Sequence, residues 1–313
     1  MKVEYSMIKY LFILCLICVC AFSDAIIPIP EFIKYDKSKA LLGQKLFFDP
    51  GLSKDGTISC ASCHTLPGSG ADATPFSYGI NGLEGDMNSP TVLNARFNLA
   101  QFWDGRAKDL EDQVRGPIMN PVEMDNTLSA VVAYVKADKN YKKTFNSLYP
   151  EGVNEKNIFN AIAEFEKALY TPDSAFDRYL KGDKAALNAQ ELRGYELFQS
   201  RGCISCHNGV NIGGNMYQKL GIMKDYKDTK YQLGRYNVTK DEDDKYYYKV
   251  PTLRNIALSA PYLHDGSGKN LQETIRIMME YQLGITVDKE EVLSLEAFLK
   301  TLTGQTPAIL EAK

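Results

Sequence analysis

Residues 58–70 read ISCASCHTLPGSG, and Cys60, Cys63 and His64 stand there in the order Cys-x-x-Cys-His. This spacing is typical of covalent attachment of a c-type haem, in which the thiols hold the porphyrin and the histidine ligates the iron. Because His64 would fill one side of the iron, the group on the other side decides the role of the site. An iron with both sides filled carries electrons, whereas an open side allows chemistry.

A second copy of the motif, GCISCHNG, supplies Cys203, Cys206 and His207. A single copy is also compatible with a zinc or redox site, but zinc needs further cysteine or histidine ligands. The chain has seven cysteines and three histidines, and every cysteine after residue 20 belongs to one of the two motifs. The sequence therefore predicts two covalently bound c-type haems, with no cysteine left for a disulfide.

The amino-terminal residues, MKVEYSMIKYLFILCLICVCAFSDA, are typical of a secretory signal peptide. Two lysines precede an apolar run, Leu11 to Phe22, that falls short of the roughly 20 residues needed to span a bilayer. An uncleaved membrane anchor is the alternative, and a lipid on Cys20 is another, although Val19 is a poor residue for that processing. We predict a signal peptide at residues 1–23 and a periplasmic protein.

Composition narrows the functional class. The 313 residues are 44% hydrophobic, which is enough for two domains of ordinary size. The formal net charge is -3, and haem propionates would add negative charge, so a nucleic-acid partner is excluded as the main function. A small basic electron donor would be attracted to such a surface.

An internal repeat precedes the two motifs. LLGQKLFFD (41–49) and LRGYELFQS (192–200) share the pattern Gly-x-x-Leu-Phe. On a helix the glycine and the Leu-Phe pair lie on one face, so another helix can pack closely there. Two further helices, NEKNIFNAIAEFEKALY (154–170) and DKEEVLSLEAFLKTLTG (288–304), are predicted from their three- and four-residue apolar spacing, with Asp288 as a cap. We predict a mainly α fold of two cytochrome c-like helical domains.

We place the domain boundary inside a polar segment. The predicted amino-terminal domain covers residues 24–175, and the carboxy-terminal domain covers 176–313. TPDSAFDRYLKGDKAALNAQ (171–190) is interpreted as the linker because it is polar and contains proline and glycine. The stretches 65–90 and 208–250 lack a sustained period and are expected to be loops around the haem edges or in solvent.

The segment NSPTVLNARFNLAQFWDGRAKDLEDQVRGPIMNPVEM (88–124) closely resembles the bacterial dihaem cytochrome c peroxidases. KVPTLRNIALSAPYLHDG (249–266) and AFLKTLTG (297–304) resemble the same family, which is related to dihaem enzymes that mature methylamine dehydrogenase. The resemblance runs in order through nearly the whole chain after the signal. It implies an enzyme that reduces hydrogen peroxide to water, with electrons entering at the carboxy-terminal haem and peroxide binding at the amino-terminal haem.

The resemblance assigns Glu123 and Gln113 to the open side of the first haem. Cleavage of the O–O bond needs a proton to move between the peroxide oxygens, and a carboxylate near the iron can accept and return it. Gln113 would orient the peroxide, and Pro117 would restrict the pocket. Outside this context Glu123 would be interpreted as a solvated loop acid.

Trp103 is the only tryptophan of the chain. The resemblance places it between the two haems, where an aromatic ring would shorten the electron path. Packing in a core is the alternative role, since that is the usual fate of a buried indole.

Many members of the family bind the first iron with a loop histidine in the resting, oxidised state. The corresponding stretch here is FSYGINGLEGDMNSP (76–90), and Ile80 stands where that histidine would align. Since Ile80 cannot ligate iron, we expect an open first haem that needs no reductive activation. Tyr78 and Met87 stay open as alternative ligands.

For the second haem, the resemblance implies a methionine ligand about one turn into the helix after LHDG. Met278 is the choice by alignment, with adjacent Met279 as the other candidate, and both could instead be core residues. A thioether ligand raises the potential of a histidine-ligated haem. The related maturation enzymes use tyrosine at this place, and Tyr281 lies close by. His264 is interpreted as a structural, hydrogen-bonded residue.

The resemblance also implies a calcium ion between the domains, a homodimer, and a small cytochrome c or cupredoxin as electron donor. Asn88, Ser259 and Pro261 align with the positions that supply the calcium ligands. Such a site uses amide and carbonyl oxygens with waters. Ser259 replaces an expected threonine, which a carbonyl ligand tolerates.

Two other functions stay open from the sequence. One is an oxidase that matures another protein through the same two haems, which would require tyrosine in place of Met278. The other is a dihaem electron carrier without catalysis, in which both irons are six-coordinate. The absence of the loop histidine argues against the carrier.

Overall fold

Helices dominate the computed structural model, which describes residues 25–226 and 232–311. The mainly α fold class is therefore confirmed. The predicted signal peptide at 1–23 lies outside the described residues. The α-helices are α1 (Lys37–Phe47), α2 (Cys60–Cys63), α3 (Leu110–Met119), α4 (Leu128–Ala137), α5 (Lys139–Leu148), α6 (Glu155–Ala168), α7 (Ala175–Leu180), α8 (Ala189–Ser200), α9 (Tyr236–Thr239), α10 (Leu271–Ile277) and α11 (Lys289–Lys300).

The Gly-x-x-Leu-Phe helices pack as the pattern predicts. Helix α1 lies on α6, and helix α8 lies on α11. A Cβ placed on Gly43 would stand 1.8 Å from the carbonyl oxygen of Ala161, and one on Gly194 would stand 2.0 Å from that of Ser294. Only glycine allows backbones to approach this closely. The two halves therefore repeat one helix-on-helix contact.

Both long helices begin at a side-chain cap, and the cap predicted at Asp288 is confirmed. The side chain of Asn154 accepts a hydrogen bond at the start of α6, and that of Asp288 does so at the start of α11. Helix α11 ends at Lys300, a turn earlier than predicted, because residues 301–304 turn away to contact the segment near Thr171.

The described residues form two large hydrophobic cores, one from α1 and α3–α6 and the other from α7, α8, α10 and α11. Each terminal segment of the described chain joins the core of the opposite half. Ile26 is buried in the second core, and Ile309 is buried in the first. The division at 175/176 stays a prediction, but the chain ends cross it and tie the two halves together.

Residues 171–190, interpreted as the linker, are buried or partly buried in most of their first half, whereas residues 181–185 and 188–190 are exposed. The segment contains α7, and Asp177 of that helix is fully buried beside fully buried Arg254, at 2.7 Å between Oδ1 and Nη1. Arg254 also donates to the carbonyl oxygens of Val210 and Ile27. The polar character of this segment therefore has two sources, a buried ion pair at Asp177 and a solvent-exposed stretch after α7.

The second half also contains a small antiparallel sheet of β1 (Tyr217–Lys219) and β2 (Tyr247–Lys249), with Tyr217 opposite Lys249. A π-helical turn, Met278–Gln282, continues α10. Such turns often accompany functional sites because they re-aim side chains. In the described part of the chain, none of the helices has the length and apolar character needed to cross a membrane.

Candidate active site

The first Cys-x-x-Cys-His motif borders a cavity of about 160 Å³ in the first half. Helix α2 carries both thiols and begins at Ser59, and His64 follows directly. The Nδ1 atom of His64 lies 3.0 Å from the carbonyl oxygen of Gly70, and burial lowers the pKa of the ring. A neutral ring that donates from Nδ1 leaves Nε2 free for a metal, which is the arrangement of a histidine ligand.

Glu123, Gln113 and Pro117 border this same cavity. Helix α3 carries Gln113 and Pro117, and the turn after it carries Glu123. The side-chain nitrogen of Asn120 donates to Glu123 Oε1 at 2.6 Å. Burial raises the pKa of Glu123, although the Asn120 bond and the charge of Arg106 oppose the shift. The carboxyl is thus held at one oxygen and tuned to take up a proton more readily than an exposed glutamate.

The loop of residues 76–90 contacts the backbone of Glu123. The backbone N–H of Ile80 donates to the carbonyl oxygen of Glu123 at 2.8 Å, and the Ile80 side chain is buried outside the cavity wall. Met87 borders the cavity, whereas Tyr78 is 53% exposed and its hydroxyl donates to Glu84. Of the two alternative ligands left open by the sequence, only Met87 faces the first motif.

The second motif borders a larger cavity, of about 230 Å³. Burial lowers the pKa of His207 to about 4, so its ring is neutral at ordinary pH. Its Nδ1 atom is buried without a hydrogen-bond partner among the described residues. Carbonyl oxygens of Ile212 and Pro251 lie near enough to favour protonation there, so Nε2 is again the metal-facing atom.

Met278 and Met279 both border this second cavity. Met279 also packs in the second core, and Met278 is less buried. Tyr281 is not part of the cavity wall, because its ring packs edge-on against Tyr226 at 5.5 Å and beneath the ammonium of Lys224.

Trp103 borders both cavities. Its Nε1–H donates to the carbonyl oxygen of Asn88 at 2.8 Å, which fixes the ring in the wall between them. His264 lies edge-on to Trp103 and stacks on Tyr248 at 4.2 Å. His264 is buried, and its carbonyl oxygen accepts the backbone N–H of Asn88. Of these rings, Trp103 borders both cavities, and His264 and Tyr248 border the second.

Asn88, Ser259 and Pro261 border the second cavity together. The side-chain nitrogen of Asn88 donates to the carbonyl oxygens of Thr74 and Pro75, which fixes the amide. No group of three histidine, cysteine, aspartate or glutamate side chains in the described ranges is placed to hold a metal ion. A calcium ion at this place would therefore depend on amide and carbonyl oxygens.

The donor set of both cavities fits a covalently bound haem. The thiols of all four described cysteines are free. Each cavity has two of them, followed by a neutral histidine with one nitrogen available for iron. The Nδ1 atom of His207 lies near the carbonyl oxygens of Ile212 and Pro251 and is suited to carry the ring proton, which leaves Nε2 for a metal.

Comparison with known proteins decides the family. Residues 37–185 match the family model described as di-haem cytochrome c peroxidase. The cytochrome c551 peroxidase of Nitrosomonas europaea is 47% identical over 290 residues, which are 92% of this chain and 87% of that protein. The chain belongs to the di-haem cytochrome c peroxidase family.

Two other similar proteins place the chain within the family. The cytochrome c peroxidase Ccp of Escherichia coli K12 is 45% identical over 286 residues, 90% of this chain, and the match spans 62% of that longer protein. A crystal structure of a MauG-like protein associated with microbial copper homeostasis superposes with a TM-score of 0.79 at 28% identity, covering 94% and 96% of the two chains. The fold is therefore that of the di-haem peroxidases, with MauG-like proteins as relatives.

The sequence reasoning missed one carboxyl group of this peroxidase-family site. Glu166 of α6 borders the first cavity and is 5% exposed, and burial raises its pKa to about 8. Its Oε2 atom has no hydrogen-bond partner among the residues described. Glu166 lies five residues after Ala161, and Leu299 lies five after Ser294, so the internal repeat puts Leu299 in the matching place of the second cavity. The available signal was a charged residue on the buried face of the predicted 154–170 helix.

Proposed function

We propose that the protein reduces hydrogen peroxide to water at the first cavity. The balanced reaction takes one peroxide, two electrons and two protons to two waters. The observation that carries the proposal is the position of Glu123, a carboxyl with a raised pKa that borders the same cavity as His64 and the thiols of the first motif. A pure electron carrier has no use for a proton-accepting group there.

The bound haem iron would supply the redox chemistry that cleaves the O–O bond. Glu123 would accept a proton from the inner oxygen of peroxide and return it to the outer oxygen, which leaves as water. Oε2 is the atom suited to this transfer, because Oε1 is held by Asn120. Gln113 would orient the peroxide through its side-chain amide, and Pro117 would narrow the pocket.

Electrons would enter at the second haem, held by Cys203, Cys206 and His207, from a small cytochrome c or cupredoxin. Met278 as its sixth ligand is supported by its place on the cavity wall. Trp103 as the bridge is supported by its contact with both cavities. The ring contacts of Tyr281 with Tyr226 weigh against the tyrosine-ligated oxidase alternative.

Activity without reductive activation is part of the proposal, and the residues near the first cavity support it. Ile80 offers no ligand atom, and the chain has no histidine beyond His64, His207 and His264. His264 borders the second cavity, where it packs against Tyr248, and it is not part of the wall of the first cavity. Met87 is the side chain that could close the first iron, so its ligation is the competing outcome.

The proposed location is the periplasm, to which residues 1–23 would direct the protein before they are cleaved. The proposed assembly is a homodimer. A calcium ion held near Asn88, Ser259 and Pro261 is part of the proposal. The support is that these three residues border one cavity wall beside Trp103.

The test is the absorption and EPR spectrum of the oxidised, haem-loaded protein, followed by peroxide addition before any reductant. A high-spin ferric haem that reacts at once supports a peroxidase active without reduction. Two low-spin haems and no reaction would support Met87 ligation and activation by reduction. Two low-spin haems that stay inert after reduction as well would support the electron carrier.

A pair of variants tests the proton step. Glu123→Gln should lower kcat/KM for peroxide by 10²–10⁴-fold, in the range of general acid–base catalysis. Glu84→Gln is the matched control, since Glu84 is exposed on the neighbouring loop and bonded to Tyr78. Equal activity of both variants would exclude Glu123 as the proton acceptor.

A further inference from the structure

Lys249 is a buried cation without a counter-ion. It ends strand β2 and is 5% exposed. Among the described residues, no carboxylate or other hydrogen-bond acceptor pairs with its ammonium group. Lysine is almost never buried so completely unless it is paired, because removing the charge from water is strongly unfavourable.

The electrostatics of the protein alone leave this charge uncompensated. Burial lowers the pKa of Lys249 to about 8, and no neighbouring acid opposes the shift. Arg254, buried in the same half, shows the contrasting case, since it is paired with Asp177. The buried charge of Arg254 is thus compensated by a carboxylate of the protein, whereas the buried charge of Lys249 is not.

The location of Lys249 indicates which group would supply its counter-ion. Lys249 borders the second cavity together with Cys203, Cys206 and His207. The group that fills this cavity in the proposed function is a haem, and the anionic groups of a haem are its two propionates. The missing carboxylate would therefore arrive with the cofactor.

We propose that Lys249 binds a propionate of the haem attached at Cys203 and Cys206. The inference rests on the proposed function in that it needs a haem in the second cavity. The ion pair would prevent the haem from rotating in the cavity, because the thioether bonds would hold one edge of the porphyrin and Lys249 would hold a propionate on another edge. It would also favour the reduced state of this haem, since a nearby positive charge stabilises the added electron.

Lys249 borders the second cavity and is hydrogen-bonded to a residue that borders both. Its backbone N–H donates to the carbonyl oxygen of Trp103 at 2.7 Å, and Trp103 borders both cavities. The residue proposed to bind the second haem is therefore hydrogen-bonded to Trp103, the proposed bridge between the haems. Lys249 acts here as a cofactor-binding and potential-setting residue.

The test compares Lys249→Met, Lys249→Arg and Lys245→Met in the haem-loaded protein. The Met side chain keeps the length and removes the charge, and Arg keeps the charge. Lys245 lies four residues earlier, is bonded to Glu242 and is the matched control. The readouts are the haem count from the pyridine haemochrome spectrum and the midpoint potential of each haem by spectroelectrochemistry. Lys249→Gln replaces the Met variant if that protein does not mature.

Lys249→Met should shift the reduction equilibrium of the second haem about tenfold toward the oxidised form, a fall of about 59 mV. Lys249→Arg and Lys245→Met should stay within about a twofold shift of the wild type. An unchanged potential in Lys249→Met, with two haems attached, would overturn the inference while leaving the peroxidase proposal intact. A wild-type protein that fails to attach the second haem would instead overturn the proposed function itself.

Discussion

Replacement of Gly79 by alanine should displace Glu123 without unfolding the protein. A Cβ on Gly79 would lie 2.2 Å from the carbonyl oxygen of Val122 and 2.6 Å from the Cα of Glu123. The backbone of Gly79 has φ -97°, so the conflict is steric and does not involve a left-handed conformation. Because even close carbon–oxygen contacts are about 3.3 Å long, the two segments must separate by roughly 1 Å.

A shift of this size is large for catalysis. Misplacement of a catalytic group by about 1 Å can lower the rate by about 10²-fold, equivalent to about 3 kcal/mol of transition-state stabilisation. The Gly79→Ala variant should therefore lose about a hundredfold in kcat/KM for peroxide while its haem count and thermal unfolding stay close to those of the wild type. The assay is steady-state peroxide reduction with a reduced small cytochrome c as donor.

Gly85→Ala is the matched control on the same loop. A Cβ at Gly85 would meet the carbonyl oxygen of Ser77 at 3.4 Å, which is an ordinary contact. Its activity should stay within about threefold of the wild type. Full activity in Gly79→Ala would refute the reasoning, because it would mean that the loop does not position Glu123 or that Glu123 does not move the proton.

Three further predictions concern stability and pH. Asp177→Asn leaves the Arg254 guanidinium buried without a counter-charge, so chemical denaturation should show a loss of about 3–5 kcal/mol in the free energy of unfolding. The control is Asp173→Asn, which removes an exposed ion pair with Arg178, 3.9 Å long, and should change the free energy of unfolding by less than about 1 kcal/mol. Similar losses in both variants would contradict the argument. Because burial raises the pKa of Glu123, the proton-accepting carboxylate is lost as the pH falls through that raised value, so the acid limb of kcat/KM should lie above the ordinary glutamate pKa of about 4.3. If the acid limb of the kcat/KM profile is unchanged in Glu123→Gln, the titrating group is not Glu123. Gly43→Ala forces a methyl group to within 1.8 Å of a backbone oxygen and should lower the stability by at least roughly 1–3 kcal/mol, and an unchanged Tm would show that the helices can separate freely.

Local pattern was sufficient for much of the fold. The helix contact at Gly43 could be anticipated because a glycine three residues before a Leu-Phe pair marks a smooth helical face. The cap at Asp288 and the haem motifs are also encoded by residues close in the chain. The burial of Asp177 in segment 171–190 could not be predicted in this way, because its partner Arg254 lies 77 residues away along the chain.

The sequence by itself determined two haem attachment sites, a mainly helical chain and, through family resemblance, the candidate residues Glu123 and Gln113. Only the tertiary structure decided that these residues share a cavity, that Trp103 borders two cavities, and that Glu166 and Lys249 are buried without a charged partner among the described residues. The physical reason is that attachment motifs and helix signals depend on neighbours along the chain. Burial and charge pairing depend on segments that meet only after folding, and the pKa of a carboxyl or an ammonium group follows from that environment.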